Sequence, residues 1–148
     1  MPTKSNLVAD TELFFKRHWE IEDNFPHWDF SWSWRGPVPN HLLGGLYALF
    51  SGEKLLYIGL GASRGGGIYQ DRGISKRLMA HVLQSAPMTS NVSYIPRDRW
   101  HQLGVDLIAT IGFPKDCDYL APALEDFLIG QLNPPQNSIK RKFPQTVS

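Results

Sequence analysis

Two short apolar runs, Gly44 to Phe50 and Leu55 to Gly59, are separated only by Ser51-Gly52-Glu53-Lys54. Segments this short, rich in aliphatic and aromatic residues and broken at a glycine, read as the two arms of a β-hairpin. Register then decides which side chains meet. A two-residue loop at Gly52-Glu53 would put Tyr47 and Tyr57 on opposite faces, because a one-residue slip inverts a strand. A three-residue loop at Ser51-Gly52-Glu53 sets them directly across from each other. A shared face for the two rings requires the odd register, and we expect that one.

The remaining elements follow from periodicity and punctuation. Asp10 or Thr11 is expected to cap a first helix through about Trp19. Between Phe25 and Pro39, Trp28, Phe30, Trp32 and Trp34 alternate with a period of two, which suggests an extended segment with one aromatic face. Packing over the core is the preferred role for this arm, against base stacking or a dimer contact. Gly61 to Gly73 is a glycine-rich loop, Ile74 to about Ser85 a helix, and Val105 to Ile111 a third strand. A loop through Pro87 and Pro96 joins the last two. Pro122 suits the first turn of a helix that runs to Leu132. The expected fold is α+β, a small three-stranded antiparallel sheet flanked by helices. Residues 1–43 form the N-terminal helix and aromatic arm, and residues 44–148 the core.

Composition excludes several classes. The 148 residues, 42% hydrophobic and 20% charged, suit one globular domain. No apolar run approaches the roughly 18 residues needed to span a bilayer. The polar start, Met1 to Asp10, lacks the apolar stretch of a secretion signal. Cys117 is the only cysteine, so a reducing, cytoplasmic setting is expected. The formal charge of +1 neither supports nor excludes nucleic acid. Acids crowd the N-terminal part (Asp10, Glu12, Glu20, Glu22, Asp23, Asp29), whereas Arg64, Arg72, Lys76, Arg77, Arg97, Arg99 and Lys140-Arg141-Lys142 lie later.

Chemistry-bearing residues cluster in a recognisable order. On the helix after the glycine loop, Ile74, Leu78 and Val82 define a buried stripe. Arg77 and His81, four apart, are neighbours at its edge. On the last helix, Leu120, Leu124, Phe127, Leu128 and Leu132 mark a buried arc, and Glu125 falls inside or at the margin of it. Asp126 points towards solvent. A carboxylate facing the core costs several kcal/mol unless it is paired or bound to metal. A salt bridge, with Arg77 among the candidate partners, competes with a metal ion for that place. Asn137 follows Glu125 by twelve residues, beyond Asn133-Pro134-Pro135, where Asn133 suits the helix end.

Gly45-Leu46-Tyr47, Tyr57-Ile58-Gly59, Gly73 to His81, Glu125 and Asn137 together resemble the GIY-YIG nuclease family, over Gly44 to about Lys142. The resemblance implies a metal-dependent endonuclease that hydrolyses phosphodiester bonds in double-stranded DNA. Tyr47, Tyr57, Arg77, His81, Glu125 and Asn137 would form the catalytic set. Arg77 would clamp the scissile phosphate, and Glu125 would hold Mg²⁺ or Mn²⁺. Tyr47 would position or deprotonate the attacking water with support from Tyr57. His81 would accept the proton or hold Tyr47, and Asn137 would fix the closing turn.

Two positions depart from the family's pattern. Leu60 stands where a lysine is frequent, and an insertion carries Arg64 and Arg72. Insertions of this kind occur in restriction-type members, so a restriction enzyme is expected, with a homodimer if both strands are cut. A repair or recombination nickase and a non-catalytic nucleic-acid-binding module are the alternatives. Arg64, Arg72, Lys76, Lys140, Arg141 and Lys142 are candidate DNA contacts. The five histidines and Cys117 show no zinc-type spacing. No dinucleotide fingerprint, phosphate loop or nucleophile elbow is present.

Overall fold

The computed structural model describes residues 1–20, 24–61 and 73–138. Within it, β1 (Gly45–Ser51), β2 (Lys54–Gly61) and a third strand, Leu107–Gly112, form an antiparallel sheet with β1 in the centre. Both faces of β1 are covered, so its residues are buried almost throughout. Leu46, Ala48 and Phe50 enter one core, and Tyr47 and Leu49 the other.

The hairpin corrects the expected loop. Ser51 pairs with Lys54, so the turn holds only Gly52 and Glu53, with Gly52 at φ 58° in the left-handed region that glycine tolerates. That register alone would place Tyr57 on the far face. A β-bulge prevents it: Phe50 pairs with Leu55 and Leu49 with Tyr57, leaving Leu56 as the extra residue. The two tyrosines therefore share a face, offset along the strands. Tyr47 stands opposite Gly59 and Tyr57 opposite Leu49.

Helix α1 (Lys4–His18) and a C-terminal helix, Ala121–Leu132, pack on the first face with Leu7, Phe15, Leu124 and Leu128. Helix α1 begins well before the expected Asp10 or Thr11. Its cap is Thr3, which exchanges hydrogen bonds with Asn6 in a capping box. Thr11 instead lies buried within the helix and accepts the indole N–H of Trp28 at 2.8 Å.

On the second face sits α2 (Ile74–His81), shorter than the sequence suggests. Its last carbonyls are claimed by tertiary donors: Trp100 Nε1 reaches His81 O, and Arg97 N reaches Val82 O. Donors from elsewhere satisfy a helix end as well as another turn would. The chain then forms β3 (Leu83–Ser85), paired with β4 (Tyr94–Pro96), and a short helix α3 (Asp98–Gln102). Strand β3 takes the expected end of the helix, β4 closes the expected loop through Pro87 and Pro96, and α3 lies beyond it. The strand Leu107–Gly112 is β5, and Ala121–Leu132 is α4, entered through a 3₁₀ turn at Asp118–Leu120.

The segment between residues 24 and 39 passes over the outer edge of β5, where Asp29 and Thr110 exchange backbone hydrogen bonds of 2.7 and 3.1 Å. Its aromatics divide at that edge rather than presenting one face. Trp28 and Phe30 pack in the first core, and Trp32 and Trp34 in the second. Trp34 has φ 70°.

Arg97 ties α2 to the ribbon behind it. Its guanidinium donates to Leu83 O at 2.9 Å and to Met79 O at 2.7 Å. Bonds from a charged donor to backbone carbonyls stabilise more than neutral ones, though solvent reduces the gain here. Arg97→Ala should lower unfolding free energy by about 1–2 kcal/mol, read as a lower midpoint with an unchanged slope in urea denaturation.

Candidate active site

The glycines of the two tripeptides have distinct steric tasks. A Cβ at Gly45 would lie 1.9 Å from the carbonyl oxygen of Ile111, so the bare backbone lets β5 close on β1. At Gly59 a Cβ would lie 2.1 Å from Cζ of Tyr47 and 2.4 Å from its hydroxyl. The Tyr47 ring thus lies flat over the residue it pairs with. The glycine of the second tripeptide makes room for the tyrosine of the first.

Around that ring the fold gathers groups from four elements. Tyr47 itself is 2% exposed. Tyr57 is half-buried, its ring centroid 6.2 Å away at 35°, and it packs at 5.2 Å on the buried Trp100. Arg77 comes from α2, whose Ile74 and Leu78 are anchored in the second core while Arg77 is exposed. Helix α2 is further pinned where Ile74 N and Ser75 N donate to Leu43 O and His41 O. Glu125 comes from α4 and is 8% exposed, whereas Asp126 faces solvent.

These groups meet electrostatically at the Tyr47 phenol. Burial raises its pKa most, because the phenolate would lose its hydration. Tyr57 raises it further, Arg77 opposes the shift, and Glu125 and a side-chain hydrogen bond with Tyr57 add to it. The net result lies well above the ordinary tyrosine value, so Tyr47 is a neutral phenol at physiological pH.

The other expected residues are placed differently. His81 is exposed at the end of α2 and is not among the groups that act on Tyr47. Asn137 is 4% exposed and spends both ends of its amide on one residue: Ile58 N donates to its Oδ1 and its Nδ2 donates to Ile58 O, each at 2.9 Å. With Gln136 N bonded to Leu56 O at 2.9 Å, the turn after α4 clasps the outer edge of β2 at its bulge. The Asn137 side chain thus ties the closing turn to β2. Asn133 ends α4 in the left-handed conformation, φ 46°. Lys76 is exposed on α2. Arg64, Arg72, Lys140, Arg141 and Lys142 lie outside the described residues.

Among the described residues, no three His, Cys, Asp or Glu side chains cluster as a metal cage. A single carboxylate suits Mg²⁺ or Mn²⁺, which keep waters and share substrate oxygens, and does not suit structural zinc. Trp100 is the contact that sequence reasoning missed, because its neighbours carry no periodic signal that would bring it beneath Tyr57. No helix among the described residues is long and apolar enough to cross a membrane. Comparisons with family models, curated proteins and solved structures gave no match.

Gly59→Ala should cost about 1–3 kcal/mol through overpacking against Tyr47. Introduced into Tyr47→Leu it should cost distinctly less, a coupling that a double-mutant cycle measures by chemical denaturation.

The displaced phenol also has a pH signature. Above about pH 10 the unfolded chain releases the Tyr47 proton while the folded chain retains it, so stability falls as pH rises. Tyr47→Phe should flatten that alkaline loss, as read from thermal midpoints across the alkaline range.

Proposed function

We propose that this protein is a divalent-metal-dependent endonuclease that hydrolyses phosphodiester bonds in double-stranded DNA, of restriction type and working in the cytoplasm. The observation that carries the reading is the convergence of Tyr57, Arg77 and Glu125, from three separate elements, on Tyr47 of a fourth. A phosphodiester site needs one cationic group for the phosphate and one carboxylate for a metal, with polar groups to orient water. Arg77 and Glu125 supply the first two, and the phenols the third.

Arg77, exposed on a firmly seated helix, binds the scissile phosphate through its planar fork and offsets the charge that grows in the transition state. Glu125 would hold Mg²⁺ or Mn²⁺, which when bound supplies Lewis-acid stabilisation at the phosphate oxygens. Tyr47, kept protonated by its surroundings, orients the attacking water by hydrogen bonding rather than acting as a resting base. Tyr57 fixes the Tyr47 hydroxyl, and Trp100 backs Tyr57. The role given to His81 rests on the family resemblance. A chain with one such site cuts both strands as a homodimer, so the restriction reading includes a second copy.

Plasmid DNA incubated with the protein and Mg²⁺ or Mn²⁺ should be linearised. Glu125→Gln should abolish cleavage with the circular dichroism spectrum unchanged. Arg77→Ala should reduce the rate at least about 10²-fold. Cleavage that survives Glu125→Gln would overturn the proposal, and nicked circles as the final product would replace restriction with nicking.

A further inference from the structure

A cationic side chain outside the proposed catalytic set is held beside it. Arg99, on α3, lies with its guanidinium carbon 4.4 Å from the centroid of the Trp100 ring. Trp100 is 3% exposed and packs at 5.2 Å on Tyr57, which in turn is 6.2 Å from Tyr47. Aromatic contacts therefore run without a break from the Tyr47 phenol to the Arg99 guanidinium.

The mounting is rigid. Trp100 Nε1 donates to His81 O at 3.1 Å, and Trp100 O accepts from Val105 N at 3.0 Å. The first bond joins α3 to the end of α2, the helix that carries Arg77. The two helices that carry Arg77 and Arg99 are thereby fixed relative to one another.

Among the described residues Arg99 is also uncommitted. It is exposed, and among the described residues it forms no ion pair with a carboxylate, although Asp98 adjoins it in sequence. Arg97 makes the contrast, with its guanidinium committed to two backbone carbonyls. A guanidinium oriented on an indole keeps its N–H edge free for an anion while losing side-chain freedom in advance.

We propose that Arg99 is a second phosphate contact, binding the DNA backbone beside the scissile phosphate held by Arg77. This rests on the endonuclease reading. Arg99 supplies binding shared by ground state and transition state, and Arg77 alone contacts the reacting phosphate.

Binding of a fluorescein-labelled DNA duplex to the full chain in EDTA, followed by anisotropy across a salt series, tests it. Arg99→Ala should weaken binding several-fold and reduce the magnitude of the log–log salt slope by about 0.9, the loss of one phosphate contact. Arg99→Lys, which keeps the charge and loses the planar stack, should fall between the two. Lys16→Ala on α1 removes one exposed charge on the other face and should leave the slope unchanged. In Mg²⁺, Arg99→Ala should raise KM with little change in kcat. A slope for Arg99→Ala equal to wild type, or matched by that for Lys16→Ala, overturns this inference while cleavage by wild type upholds the endonuclease. Absence of both binding and cleavage in wild type overturns both.

Discussion

Everything at this site depends on one ring lying over one glycine. Tyr47 occupies the most enclosed strand of the sheet, and its ring needs the space that a side chain at position 59 would take. That geometry holds only while Tyr47 pairs with Gly59, and the pairing holds only because Leu56 is bulged out. Without the bulge the tight Gly52-Glu53 turn would drive Tyr57 to the opposite core. The clasp of Gln136 and Asn137 on Leu56 and Ile58 secures the same stretch of β2 from outside. The closing turn, far along the chain, thus holds the stretch of β2 that carries the second tyrosine.

The sheet supplies the phenols, and the helices deliver the charges. Helix α2 is anchored at its start by the carbonyls of His41 and Leu43 and at its end by Arg97 and Trp100. Its register on the sheet is therefore determined at both ends, which matters for a long side chain such as Arg77. Helix α4 carries Glu125 on the border between its buried and exposed sides, with Leu124 and Leu128 buried in the first core. Those buried leucines anchor the turn of helix that carries the carboxylate, and the adjacent Asp126 is exposed.

Much of this was legible in the sequence where a signal was local. The hairpin, the third strand, α4 and the inward placement of Glu125 follow from periodicity and from Pro122. The register did not, because a bulge depends on contacts made by Gln136 and Asn137, eighty or so residues away. The start of α1 was hidden because Asn6 replaces the Glu or Gln that marks a capping box. The end of α2 was hidden because tertiary donors, not a glycine or proline, terminate it. The ribbon of β3 and β4 is three residues per strand, too short for alternation to register. The convergence of Tyr57, Arg77 and Glu125 on Tyr47 was expected from the family resemblance; the support from Trp100 was not.

The electrostatics of the cluster narrow what Tyr47 can do. Burial opposes a phenolate at this position, and Tyr57 and Glu125 oppose it further, leaving Arg77 as the opposing cation. Bringing a phosphodiester against Arg77 adds negative charge and diverts that cation towards the phosphate, so the phenol is held still more firmly in its neutral form. A neutral phenol both donates and accepts hydrogen bonds, which is what fixing a water molecule requires. In the proposed reaction the same burial that makes Tyr47 a poor base suits it to position the water. There the charge at the phosphate falls to Arg77 and to the cation that Glu125 would hold, and the two phenols supply geometry.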